Sequence, residues 1–169
     1  MKQIQDPFEI LTEDRKEEGR YVAQLERATE SIKMYGFSAD AFEQIADAVR
    51  YIDTVLRRHD RVEEQYLFPL LEPYASESVS EMRENRRQLW HAFNRLQYIV
   101  RDIEDGKVYG NSIPDLVDAA RFLAKLMNIH LADEDGILLP LSRKKLTPKE
   151  YAKLASDIAH SNEGHSSAE

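Results

Sequence analysis

The amino-acid sequence predicts an all-α protein: an up-and-down four-helix bundle of two repeated helix hairpins, followed by a short fifth helix. Three observations carry that reading. Only six Gly and six Pro occur in 169 residues, while 32 % of residues are charged, a composition that favours amphipathic helices over a sandwich or barrel. Apolar residues recur at steps of three and four along most of the chain. The chain also repeats itself at a shift of 71 residues. His59-Asp60-Arg61-Val62-Glu63-Glu64, leading to Leu67-Phe68-Pro69-Leu70, recurs as His130-Leu131-Ala132-Asp133-Glu134-Asp135, leading to Leu138-Leu139-Pro140-Leu141. The same shift carries Glu13-Asp14-Arg15-Lys16 onto Glu84-Asn85-Arg86-Arg87, and Val22, Leu25 and Ile32 onto Phe93, Leu96 and Ile103. Neither hairpin can bury its apolar stripe alone, so the two pack together about a pseudo-two-fold axis.

Each element has its own signals. Asp6-Pro7 is an N-cap with proline in the first turn, and the helix it opens carries Leu11, Val22, Leu25 and Ile32 to a stop near Tyr35-Gly36. Ser38 caps the second helix, whose stripe runs Ile45, Val49, Ile52, Leu56 toward Tyr66, with Pro69 and Pro73 bracketing its end. A third helix starts between Ser76 and Ser80, buries Met82, Leu89, Phe93, Leu96, Val100 and Ile103, and stops at Gly106. Ser112-Ile113-Pro114-Asp115 is a capping-box-like start for the fourth, with Leu116, Leu123 and Met127 inward. Thr147-Pro148-Lys149-Glu150 opens the fifth through Tyr151, Leu154 and Ile158. Residues 1–160 are expected to form one domain and 161–169 a disordered tail. The fifth helix is expected either to cover an end of the bundle or to mediate a dimer, so a monomer and a homodimer both fit.

Composition removes several function classes. A formal net charge of −8 argues against a nucleic-acid footprint. The short basic runs Arg57-Arg58, Arg86-Arg87 and Arg143-Lys144-Lys145 are expected to be solvated faces and a loop. Without cysteine there is no disulfide, thiolate metal site or cysteine nucleophile. Residues 1–10 lack the apolar run of a signal peptide, and no stretch approaches the roughly 18 apolar residues of a membrane span. A cytoplasmic protein without a membrane partner is the expectation. No Gly-rich phosphate loop, nucleophile elbow or catalytic triad motif points to another enzyme class.

The chemistry concentrates in the repeat. His59 and Glu63 are four residues apart and share one helix face, as do His130 and Glu134. Both pairs continue buried stripes: Leu56, His59, Glu63, Tyr66 on one helix and Met127, His130, Glu134, Leu138 on the other. An unpaired glutamate in a bundle core is costly. Two of them, each beside a histidine, need a shared partner, and a pair of iron, manganese or zinc ions is the simplest one. A metal-free His–Glu hydrogen-bond network is the other arrangement these residues allow.

A doubled His-x-x-x-Glu motif leading to proline resembles the hemerythrin-like (HHE cation-binding) family over residues 7 to 142. The resemblance implies a four-helix bundle around a non-haem di-iron centre, with His59 and His130 each ligating a metal and Glu63 and Glu134 bridging the pair. In that family the first and third helices each supply a further histidine after glutamate. Here those positions read Glu13-Asp14 and Glu84-Asn85, so two of the usual histidine ligands are replaced.

Asp14 is the expected substitute ligand, with Glu18 one turn on, beside Tyr21; on the third helix Asn85 is a poor ligand, and Glu81 lies one turn before it. Such a site moves toward the carboxylate-rich type, favouring ferric iron or manganese over reversible oxygen carriage. Tyr21 and Tyr66 are expected beside the centre, whereas His91, His160 and His165 are expected to be off it. Three functions follow: a non-haem metal protein that binds or senses oxygen, nitric oxide or peroxide, or handles metal; a degenerate metal-free interaction or regulatory module; or a carboxylate-rich di-metal oxidase. The catalytic residues, if there are any, are not named by the sequence.

Overall fold

The computed structural model describes residues 6–163, which are helical apart from short connections and include no strand. Helix α1 (Pro7–Tyr35) begins where the Asp6 side chain accepts a hydrogen bond from the Phe8 N–H at 2.9 Å. It ends at Gly36, whose φ of 87° is the left-handed backbone that glycine adopts at little cost. Ser38 caps α2 (Ala39–Tyr51) by accepting from the Ala41 N–H at 3.2 Å. A π-helical turn (Ile52–Leu56) joins α2 to α3 (Arg57–Val62), and a second π turn (Glu63–Leu67) joins α3 to α4 (Phe68–Glu104). After the loop at Gly106, α5 (Ser112–Asp133) continues through a third π turn (Glu134–Leu138) into α6 (Leu139–Lys145). The chain then enters α7 (Pro148–Glu163).

Helix α1 packs on α2 and α5, and α4 packs on α5 and α2, which closes the ring of four. The second and third rods of the bundle are therefore nearly continuous. One non-helical residue, Ala75 (φ −155°, ψ 54°), separates them, and Pro73 sits in the turn before it. Pro69, expected to help end the second helix, lies inside its run. The reason is local: a proline offers no N–H to the i−4 carbonyl and its ring crowds that carbonyl, and a π turn immediately before it opens the ladder. Pro140 stands in the same relation to the Glu134–Leu138 turn, so the repeated proline accounts for the repeated turn.

Two other details differ from expectation. Ser112 is already helical; Asn111 takes the cap position, and the Ser112 hydroxyl accepts from the Tyr109 N–H at 2.7 Å. The capping box is at α7 instead, where Glu150 accepts from the Thr147 N–H (2.8 Å) and the Thr147 hydroxyl from the Glu150 N–H (3.2 Å). Residues 161–163, expected in a tail, belong to α7, and 164–169 lie outside the described residues. Among the described residues no helix is long and apolar enough to cross a membrane.

The core has two parts. One, toward the α1–α2 and α4–α5 connections, includes Leu25, Ile45, Ile52, Leu56, Phe93, Leu96, Leu116 and Met127. The other includes Phe8, Leu11, Leu67, Phe68, Leu71, Leu138, Leu154 and Ile158. Along the chain the stripe passes from Leu56 to Leu67 through His59 and Glu63, and from Met127 to Leu138 through His130 and Glu134. A polar layer thus separates the two apolar parts. Helix α7 covers the end of the bundle: Leu154 is fully buried, and Tyr151 tilts against Phe8 at 5.3 Å while its hydroxyl donates to Asp6. Replacing Leu154 by Ala is expected to lower the unfolding free energy by about 2–5 kcal/mol, the range for large-to-small core substitutions. Urea denaturation measures it, and a change under about 1 kcal/mol would show that α7 lies outside the cooperative unit.

Candidate metal centre

Helical spacing brings the four motif residues together. His59 lies on α3 and Glu63 opens the π turn after it; His130 lies in the last turn of α5 and Glu134 opens the matching turn. All four are buried. His59 Nε2 is 2.8 Å from Glu63 Oε1 and 3.3 Å from Glu134 Oε1. His130 Nε2 is 3.4 Å from that same Glu134 oxygen. Two triads with metal-ligand spacing result, His59–Glu63–Glu134 and Glu18–His130–Glu134, and they share Glu134.

Helix α1 supplies carboxylates to the other side of both rings. Asp14 Oδ2 is 3.2 Å from His59 Nδ1, and Glu18 Oε1 is 3.1 Å from His130 Nδ1. A carboxylate on Nδ1 fixes ring orientation and leaves Nε2 facing the centre, the arrangement that commonly supports a metal-bound imidazole. Asp14, expected as a substitute ligand, is therefore placed to orient His59 and is absent from both triads. Its side chain is 30 % exposed, which makes it the edge of the cluster nearest solvent.

The remaining expected residues are not brought in. Asn85 turns away and donates to Asp133 at 3.0 Å. Glu81 is exposed, because its position on α4 faces outward beside buried Met82. Tyr21 stacks on Tyr51 (4.0 Å, 11° between planes), and half-buried Tyr66 packs against the apolar part nearer α7. His91 and His160 are exposed, as expected, and His165 lies outside the described residues.

Three residues that the sequence reading did not single out complete the cluster. Arg86, expected in a solvated basic run, is 7 % exposed. Its Nη2 pairs closely with Glu63 Oε2 and lies 3.9 Å from both Glu134 Oε1 and Asp60 Oδ1, while Nη1 donates to the Asp60 carbonyl at 3.3 Å. Asp60 Oδ1 is 3.3 Å from His130 Nε2, and its Oδ2 accepts from the Trp90 indole N–H at 3.0 Å. Arg15 Nε approaches Glu134 Oε2 at 4.0 Å and reaches out to Asp135 at 3.2 Å. Periodicity contained the signal for Arg86: Met82, Arg86, Leu89 and Phe93 form one stripe, whereas Arg87 points out. The repeat contained it too, since Arg15 and Arg86 are equivalent positions that each approach one of the two repeat-related glutamates.

Charge coupling is strong in this buried layer. Burial alone would depress both imidazoles, but Glu63 and Glu134 hold His59 well above its ordinary range, as Glu134 and Asp60 do for His130. Burial would raise Glu63, yet His59 and Arg86 pull it down to about 2. Asp60 is likewise pulled well below the usual carboxylate range by Arg86 and His130, against its burial. Glu18 goes the other way: its burial outweighs the neighbouring His130, and its carboxyl is raised. Even so, Asp60 Oδ1, His130 Nε2 and Glu134 Oε2 are buried without a well-formed hydrogen bond, the first two lying 3.3 Å from each other. Three such polar atoms in one layer are expensive unless something else binds them. Imidazole nitrogen and carboxylate oxygen are donors that suit a divalent metal ion, so the residues present fit one.

The model of the Hemerythrin family (Hemerythrin HHE cation binding domain) matches residues 3–142 of the chain. No curated protein sequence matches it significantly. The matched span takes in both hairpins and every residue of the polar layer, and the chain therefore belongs to the hemerythrin HHE cation-binding domain family.

Proposed function

We propose that this protein binds a metal in its buried polar layer, with non-haem iron the first candidate, manganese next and zinc third. The sharing of Glu134 between two buried His/carboxylate triads carries this reading. The donor set is mixed imidazole and carboxylate, without sulfur, which suits iron and manganese. Iron held there supplies Lewis acidity and one-electron redox chemistry. The residues define what surrounds it: Asp14 and Glu18 hold the two rings, apolar parts of the core lie on either side, and Asp14 is the partly exposed edge of the cluster. A ligand the size of oxygen, nitric oxide or peroxide suits such an edge without a large cleft, and the assigned role is binding or sensing such a molecule, or handling the metal itself.

A second reading has one observation in its favour. The Arg86 guanidinium already provides a cation inside the carboxylate cluster, as a metal-free interaction or regulatory module would require.

Metal content separates the two. Protein purified without chelator from cells supplied with iron and manganese is expected to retain metal on elemental analysis, and Glu134→Ala, which breaks both triads, is expected to lose it while keeping its helical circular dichroism. A metal-free wild-type protein that also resists anaerobic ferrous reconstitution would favour the module. Stability gives an independent check, because a ligand that binds only the folded state stabilises it. Free metal at a hundred times Kd is expected to raise the unfolding free energy of the stripped protein by about 2.7 kcal/mol, and Glu134→Ala is expected to show no such rise.

A further inference from the structure

We infer that this centre takes one divalent ion, on its His130 side, and that the Arg86 guanidinium fills the role of a second cation. The inference rests on the metal-binding reading above and concerns how the two halves of the layer divide the work.

The His59 half is already saturated. Glu63 has both oxygens engaged, Oε1 against His59 Nε2 and Oε2 in close contact with the Arg86 guanidinium. Arg86 is not a mobile surface residue that a second ion could displace into water. Its position on the α4 stripe points it inward, its guanidinium lies 4.4 Å from the centre of the buried Phe68 ring, and the Asp60 carbonyl anchors its other nitrogen. A divalent ion between His59, Glu63 and Glu134 would stand beside that guanidinium in a low-dielectric layer, where like charges repel strongly.

At the His130 half the guanidinium groups stand farther off, Arg86 Nη2 3.9 Å from Asp60 Oδ1 and Arg15 Nε 4.0 Å from Glu134 Oε2, and neither makes a close pair there. The three poorly partnered atoms, His130 Nε2, Asp60 Oδ1 and Glu134 Oε2, all belong to residues meeting at the His130 ring, with Asp60 Oδ1 3.3 Å and Glu134 Oε1 3.4 Å from Nε2. The internal repeat shows the same bias. At the shift of 71, Asp60 corresponds to Leu131 and Glu18 to Leu89. These two unmatched carboxylates serve the His130 ring, one on each nitrogen, whereas His59 gains one, Asp14 in place of Asn85, on Nδ1 alone.

The test counts ions. Full-length protein stripped with chelator is titrated with manganese(II), and binding is followed by loss of the free-ion electron paramagnetic resonance signal. The wild type is expected to saturate at one equivalent. Arg86→Met, which keeps the bulk and removes the charge, is expected to take two and to show the spectrum of an exchange-coupled pair. Arg86→Lys, which keeps the charge, is expected to stay at one. Asp60→Asn is expected to bind its ion at least ten-fold more weakly. Two equivalents in the wild type would overturn the inference and leave metal binding standing, whereas none would overturn the reading it rests on. One equivalent in folded Arg86→Met, or two in Arg86→Lys, would remove the role given to the guanidinium. Unchanged affinity in Asp60→Asn would refute the placement beside His130. The wild-type count decides by itself if Arg86→Met does not fold.

Discussion

Countercharge in a buried layer is the constraint on which the rest of this structure depends. Glu18, Asp60, Glu63 and Glu134 are all buried within reach of one another's partners, between two apolar parts of a single bundle. A carboxylate taken out of water costs several kcal/mol unless a cation and hydrogen bonds replace its hydration. His59, His130 and Arg86 supply part of that replacement, and their raised proton affinities express the same coupling from the other side. Such a layer is not a device for stability, since well-packed apolar residues in its place are often neutral or stabilising. Its presence in an otherwise ordinary bundle core argues for chemistry, and the poorly partnered atoms say where that chemistry is unfinished.

The backbone serves the layer through two π turns. Each begins at a motif glutamate, Glu63 or Glu134, and each precedes a proline that an uninterrupted α-helix would accommodate poorly. The proline is thus not a stop signal but the reason the ladder widens where the glutamate must enter the layer. The caps at Asp6 and Ser38, the repeat, the buried stripes and the His/Glu pairs were legible in the sequence, because each follows from residue type at a fixed spacing. The π turns were not, since side-chain periodicity over five residues hardly distinguishes an i→i−5 ladder from an i→i−4 one. The expectation that Pro69 helps end the second helix failed for that reason.

The site residues divide along the same line. His59, Glu63, His130 and Glu134 could be placed from spacing alone, and Glu18 followed as one turn beyond Asp14. Which side of an imidazole a carboxylate meets depends on ring orientation, and spacing says nothing about it; Asp14, expected as a ligand, lies against His59 Nδ1. Arg86 was hidden by its neighbour. Two adjacent arginines look like a solvated charge run, yet adjacent helical positions are about 100° apart, so one can face the core while the other faces water. A charged residue on a buried stripe is the informative case, and the stripe from Met82 to Phe93 contained it.

The repeat explains the scaffold, and its exceptions explain the function assigned here. A repeated hairpin by itself would give two equal half-sites around a shared axis, and Pro69/Pro140, the π turns at Glu63 and Glu134, the two histidines, the two glutamates and the Arg15/Arg86 pair keep that equality. Three positions do not. Asp14 against Asn85 gives an orienting carboxylate to His59 from α1 but not to the layer from α4; Glu18 against Leu89 and Asp60 against Leu131 add carboxylates around His130 alone. The two arginines are similarly buried but differ in partner: Arg86 is committed to Glu63, whereas Arg15 reaches past Glu134 to an exposed partner, Asp135. Where backbone symmetry is retained and charge symmetry is not, the two halves cannot have equal affinity for a cation. An arginine that closes one half and an added carboxylate that opens the other are two sides of one electrostatic division.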